Sequence, residues 1–193
     1  MQKLTFVLAI AGFLLSCSNN ESSKQEAGVK TESTATTEPK DTTKKSIPSE
    51  VNQTVGNTAI KIAYHAPAVR GRVIWGGLVP YDAVWVTGAH KATSLEVEKD
   101  FSVGDKRIPA GKYAVFSIPG KDQWTIIINR NWNQHLADDY SEAEDMARVV
   151  VKPQTTTETT ERLKYEVVPT GESTANVIVS WEKVRVPFEI RIL

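Results

Sequence analysis

The chain contains a single cysteine, Cys17, so it can form no internal disulfide in any compartment. Histidine is nearly as scarce: there are 3, at His65, His90 and His135, and none stands in an H-x-H or H-E-x-x-H pair of the kind that announces a metal centre. An excess of one charge is also missing. Lys+Arg 23 against Asp+Glu 23, with no basic run, argues against a nucleic-acid partner. The sequence lacks a G-x-x-x-x-G-K phosphate loop, a G-x-S-x-G nucleophile elbow and any internal repeat. No cofactor is expected on these grounds.

What is present begins with Lys3 and an uncharged apolar run from Leu4 to Leu15. This is the pattern of an export signal, and it is shorter than the roughly 20 residues that a membrane-spanning helix needs. Leu14-Leu15-Ser16-Cys17 resembles the lipobox of bacterial lipoproteins, in which the cysteine is acylated and becomes the first residue of the mature chain. Residues 18 to 53 are rich in Ser, Thr, Glu and Lys and nearly devoid of large apolar side chains, too little to offset the entropy of ordering. The expected organisation is therefore a signal peptide over 1–16, a lipidated Cys17 and flexible linker over 17–53, and one domain over 54–193. As a random coil the linker spans about 30 Å.

The domain reads as strands. Period-two alternation recurs at Leu95-Val97, Ala114-Phe116-Ile118, Trp124-Ile126-Ile128, Val149-Val151, Leu163-Tyr165-Val167, Val177-Val179-Trp181 and Val184-Val186-Phe188-Ile190. Between them stand turn chemistries such as Gly104-Asp105, Pro109-Ala110-Gly111 and Pro119-Gly120. One stretch, Ser141 to Arg148, carries a capping-box signature and predicts a helix of two turns at most. The pattern predicts an all-β fold: an antiparallel β-sandwich, jelly-roll or immunoglobulin-like, with a small β-barrel as the alternative.

The segment Arg72 to Gly88, R-V-I-W-G-G-L-V-P-Y-D-A-V-W-V-T-G, is apolar yet broken by Gly76, Gly77 and Pro80. A connection this apolar must be buried or must line something. Either Trp75, Leu78 and Trp85 plug one end of the sandwich, or Trp75, Tyr81 and Trp85 form an aromatic shelf at its rim. Val84, Trp85 and Val86 leave both faces of a strand apolar; the expectation places Trp85 in the core and Tyr81 at the rim. Trp75, Tyr81, His90, His135 and Arg72 are the candidate ligand-binding residues. A metal site would have to draw on the three histidines with Asp138 and Asp139. An enzyme built on Asp82, Asp138 and Asp145 is the alternative.

The stretches I-W-G-G-L-V-P-Y-D-A-V-W-V-T-G-A, I-P-A-G-K-Y-A-V-F-S-I-P-G-K-D-Q-W-T-I-I-I-N, E-D-M-A-R-V-V-V-K-P and W-E-K-V-R-V-P resemble the bacterial lipoprotein family called domain of unknown function 2911. The resemblance runs from about Ile60 to Ile190 and implies no activity. In that family the position after the tryptophan matching Trp85 is usually arginine, and Asn-Glu usually follows the glycine-alanine matching Gly88-Ala89. Val86, His90 and Lys91 stand there instead. The functional expectation is a lipid-anchored envelope protein, on the outer membrane facing the periplasm or on the cell surface. It would bind a small molecule, a glycan or another envelope protein between loops 70–91 and 129–145, with a hydrolase or metal-dependent enzyme at those loops as the alternative.

Overall fold

The computed structural model describes residues 45–193; the expected signal peptide, Cys17 and the linker up to residue 44 lie outside the described residues. Ten strands follow one another: β1 (Ile47–Val55), β2 (Thr58–Ala66), β3 (Thr93–Val97), β4 (Phe101–Val103), β5 (Lys106–Ile108), β6 (Gly111–Ile118), β7 (Trp124–Asn129), β8 (Asp145–Val151), β9 (Gln154–Pro169) and β10 (Thr174–Ile192). They form a six-stranded sheet in the order β1-β2-β3-β6-β7-β8 and a four-stranded sheet in the order β5-β4-β10-β9. All pairings are antiparallel, and neither sheet closes into a barrel, which removes the barrel alternative.

The main core lies between the two sheets. β2 shows why: Ile60, Ile62, Tyr64 and Ala66 alternate inward and meet Leu95, Val115, Ile126, Leu163, Tyr165 and Val179. A second, smaller cluster of Val86, Ala92, Ala114, Phe116 and Ile127 forms where β6 and β7 are apolar on their other side as well. Strands buried on both faces cannot show simple alternation, and residues 84–92 are the cover that makes them so.

One expectation is corrected. The segment at 141–148 is not a helix: a single 3-10 turn, Glu142–Glu144, leads directly into β8 at Asp145, and the Ser141 side chain makes no capping hydrogen bond. Pairing with β7 through Ile128↔Ala147 and Ile127↔Arg148 outweighs the local capping pattern. Strand structure is present upstream of residue 54 as well: β1 occupies Ile47–Val55 and pairs with β2 throughout. β1 is an edge strand, whose outer flank faces water, so its polar sequence is compatible with a strand. Its entry is pinned where the Arg162 guanidinium donates to the carbonyls of Lys45 at 3.1 Å and Ala66 at 2.8 Å.

Candidate functional site

The greasy segment lies at one end of the sandwich and does two things at once. Its first half, Val73 to Val79, is a compact loop closed by Leu78 N–H to Val73 O (3.0 Å), Val79 N–H to Ile74 O (2.9 Å) and Gly76 N–H to Val79 O (2.9 Å). Gly77 is required here: a Cβ at this position would lie 2.5 Å from the Val73 carbonyl oxygen. The loop buries Ile74 and Val79 and turns Trp75 onto the main core. The second half pairs with the end of β6, Trp85 and Ser117 exchanging backbone hydrogen bonds of 2.8 and 2.9 Å. Val84 and Val86 pack on the smaller cluster, while Trp85 reaches both clusters.

Four of the tryptophans interlock. The Trp75 ring meets Trp124 at 5.0 Å, Trp85 at 5.8 Å and Trp181 at 5.9 Å, all edge to face, and Trp85 stacks on Trp181 at 5.9 Å with 19° between planes. Trp181 is aimed by an irregularity of β10: the register against β9 slips on both sides of Glu182, which carries a φ of 55°. Bulges of this kind re-aim a side chain and are common beside functional sites.

The Trp85–Trp181 stack forms the wall of a cleft of about 520 Å³, closed by Leu78, Val79, Val84, Val86, Leu136 and Ala137 and rimmed by Arg70, Arg72, Asp138 and Ser46. Its size and apolar lining with a few polar groups at the mouth match small-molecule sites in general, which run from about 300 to 1,000 Å³. The backbone around it is strained. Among the described residues six non-glycine positions have positive φ: Arg70 and Leu136 line the cleft, Thr87 joins Val86 to Gly88, His90 follows Ala89, and Glu182 follows Trp181; of these only Asp82 lies apart. Thr87 is the most costly of these, being β-branched and fully buried. Its carbonyl accepts from the Tyr165 hydroxyl at 2.9 Å and from Thr93 Oγ1 at 3.0 Å, and its own hydroxyl shares a hydrogen bond with Ser117 Oγ at 2.8 Å. Burial pushes the Tyr165 phenol far above its ordinary value, so it stays a neutral donor.

The loops expected to form the site do meet. Leu136 N–H donates to His90 O (2.6 Å) and Ala92 N–H to Gln134 O (3.1 Å). Of the candidate residues, Arg72 lines the cleft, with Nε on Val69 O at 3.2 Å and Nη2 on Ala68 O. Trp75 stands in the tryptophan cluster behind the cleft wall, its Nε1 buried without a hydrogen-bond partner. Tyr81 is half-buried against Gly76, away from the cleft. His90 and His135 do not line it, although their neighbours Ala89 and Leu136 do: His90 meets His65 edge to face at 5.4 Å, and His135 Nδ1 lies 2.9 Å from Asp138 Oδ2. The His65 imidazole is held below its ordinary pKa by burial and by the nearby His90 and Lys91.

Among the described residues no three His, Cys, Asp or Glu side chains gather as a metal site. Among the described residues Asp139 has no ion-pair partner, and Asp82 hydrogen-bonds through its backbone N–H alone, to Pro119 O. Asp145 is engaged elsewhere. Its carboxylate accepts from Arg148 Nε (2.6 Å), the Tyr140 hydroxyl (2.9 Å) and Asn129 Nδ2 (2.7 Å), a knot that ties loop 130–144 to β7 and β8. Burial, with Asp145 as hydrogen-bond partner, raises the Tyr140 phenol to about 12. Sequence reasoning missed Arg70, Trp181 and Leu136.

These features define an all-β protein of two open antiparallel sheets whose crossover loops build an apolar cleft at one end. Residues 46–190 match the sequence profile of a family described as Protein of unknown function (DUF2911), and the chain belongs to that family. No curated protein and no solved structure matches it.

Proposed function

We propose that the protein is a lipid-tethered component of the bacterial cell envelope, anchored through Cys17, whose end cleft binds a small apolar ligand. The observation that carries the reading is the cleft itself: a stacked tryptophan pair, held from behind by Trp75, faces an opening of about 520 Å³ surrounded by strained backbone. Strain of this kind persists only where surrounding contacts over-determine it, and rigid aromatic walls bind flat apolar groups at low entropic cost. The uncharged apolar run from Leu4 to Leu15 and the lone cysteine in Leu14-Leu15-Ser16-Cys17 support the tethered arrangement.

A neutral aromatic probe, 2-naphthalenemethanol, tests the cleft. Titrated into the purified full chain, it should change tryptophan emission saturably, and Ala89→Trp, which places a bulky ring among the lining residues, should abolish the response without lowering the melting temperature. Binding that survives Ala89→Trp would place the ligand elsewhere. Cys17→Ala should release the protein from membranes and abolish labelling by a clickable fatty acid; unchanged membrane retention would remove the anchor from the proposal.

A further inference from the structure

We infer that the natural ligand of the cleft is an organic anion, with a flat apolar body against the tryptophan wall and a carboxylate, sulfonate or phosphate group held by Arg70 and Arg72; this rests on the cleft being the binding site. The two arginines are presented together by one tight turn. Arg70 and Gly71 have φ of 49° and 68°, and Arg72 N–H closes on Val69 O at 3.0 Å, a reversal with left-handed residues at both central positions. Only glycine adopts this conformation without cost, so Arg70 is held there against its preference. Glu161 on β9 supplies the hold: its carbonyl accepts from Val69 N–H at 2.8 Å and its Oε1 from Arg70 N–H at 2.9 Å.

The guanidinium groups themselves are left in complementary states. Arg72 is anchored by its bonds to the Val69 and Ala68 carbonyls, which fix the plane of its fork and leave Nη1 without a partner among the described residues. Among the described residues the exposed Arg70 side chain has no hydrogen-bond or ion-pair partner. Among the described residues Asp138 is the one carboxylate lining the cleft, and it is engaged by His135. The mouth therefore carries the two arginines against Asp138, with the Glu161 carboxylate behind the turn and taken up by the Arg70 amide, beside a floor with no charge. A fixed guanidinium fork is suited to the two oxygens of a carboxylate or to a phosphate, and pre-fixing it removes part of the entropic cost of binding.

Paired probes of the same shape test the inference: 2-naphthoate, 2-naphthalenemethanol and 2-naphthylmethylamine, titrated into the full chain at low salt and followed by tryptophan emission. The anion should bind at least about tenfold more tightly than the alcohol, as a charge-assisted contact implies, and added salt should narrow the gap. Arg70→Gln should erase most of that preference with an unchanged melting temperature, since this side chain supports nothing else, and Arg70→Glu should favour the amine. Equal binding of anion and alcohol, both blocked by Ala89→Trp, would overturn the anionic ligand while leaving the cleft in place. A preference for the anion that persists in both Arg70→Gln and Arg72→Gln would overturn the assignment to this turn. Failure of all three probes to bind would overturn both the inference and the reading beneath it.

Discussion

Replacing Trp181 by alanine should be the most damaging single change in the tryptophan cluster. The side chain is 2% exposed, stacks on Trp85 at 5.9 Å and takes the edge of Trp75 at 5.9 Å. Truncating a buried aromatic costs about 3–5 kcal/mol through lost transfer free energy and the cavity left behind, which is a large part of the 5–15 kcal/mol that holds an ordinary domain together. Trp85 has the same neighbours but shows part of its surface to the cleft, so Trp85→Ala should cost less, about 2–4 kcal/mol. Tyr81 packs on Gly76 outside both core clusters, and Tyr81→Ala should stay near 1 kcal/mol or below. Urea melts of the three variants read the order directly. A double-mutant cycle on Trp85 and Trp181 should return a coupling of about 0.5–1.5 kcal/mol for the stacked pair. A near-neutral Trp181→Ala, or a Tyr81→Ala more damaging than either tryptophan, would refute the account of how this end of the sandwich is packed.

Asp145→Ala should cost about 3–5 kcal/mol, because it strips a buried carboxylate from Arg148, Tyr140 and Asn129 at once; a melt within error of the parent would reduce the knot to decoration. Gly77→Ala should destabilise by about 1–3 kcal/mol, since its Cβ would press on the Val73 carbonyl, and a stabilised variant would contradict the loop geometry. Tyr165→Phe removes the phenol that donates to Thr87 O and should cost about 1–3 kcal/mol, with faster amide exchange at residues 87–89 as the local signature. For His65, burial holds the folded-state pKa below the ordinary value, so the unfolded chain binds more protons in that window. Its contribution to stability is full above the ordinary histidine value, about 6.5, and is lost as pH falls below it. His65→Gln should flatten that slope, and an unchanged slope would assign the pH dependence to other groups.

The sandwich was legible where a strand has one wet face and one dry face. β3, β8, β9 and the two halves of β10 stand where alternation placed them. β1 was hidden because an edge strand can be polar on both flanks, and β4 and β5 because strands of three residues around Gly104-Asp105 look like turn chemistry alone. Between Trp181 and Val184 the alternation changes parity, from odd to even positions, which is the trace of the β10 irregularity and a signal available in the sequence. The ambiguity at Val84-Trp85-Val86 had a physical cause: the smaller core cluster lies outside the large sheet, so both faces of this segment are covered. Arg70 was not legible, because its role depends on a left-handed backbone held by Glu161, which stands far away in sequence.

The indole N–H signals of the five tryptophans report on the cleft residue by residue. Trp85 and Trp181 line the cleft, whereas Trp132 lies 40% exposed elsewhere, with Lys112 Nζ 4.1 Å from its ring centroid. In nitrogen-proton correlation spectra of the labelled full chain, saturating 2-naphthoate should shift the Trp85 and Trp181 signals and leave Trp132 in place. Shifts confined to Trp132, or no shift at Trp85 and Trp181, would contradict the account.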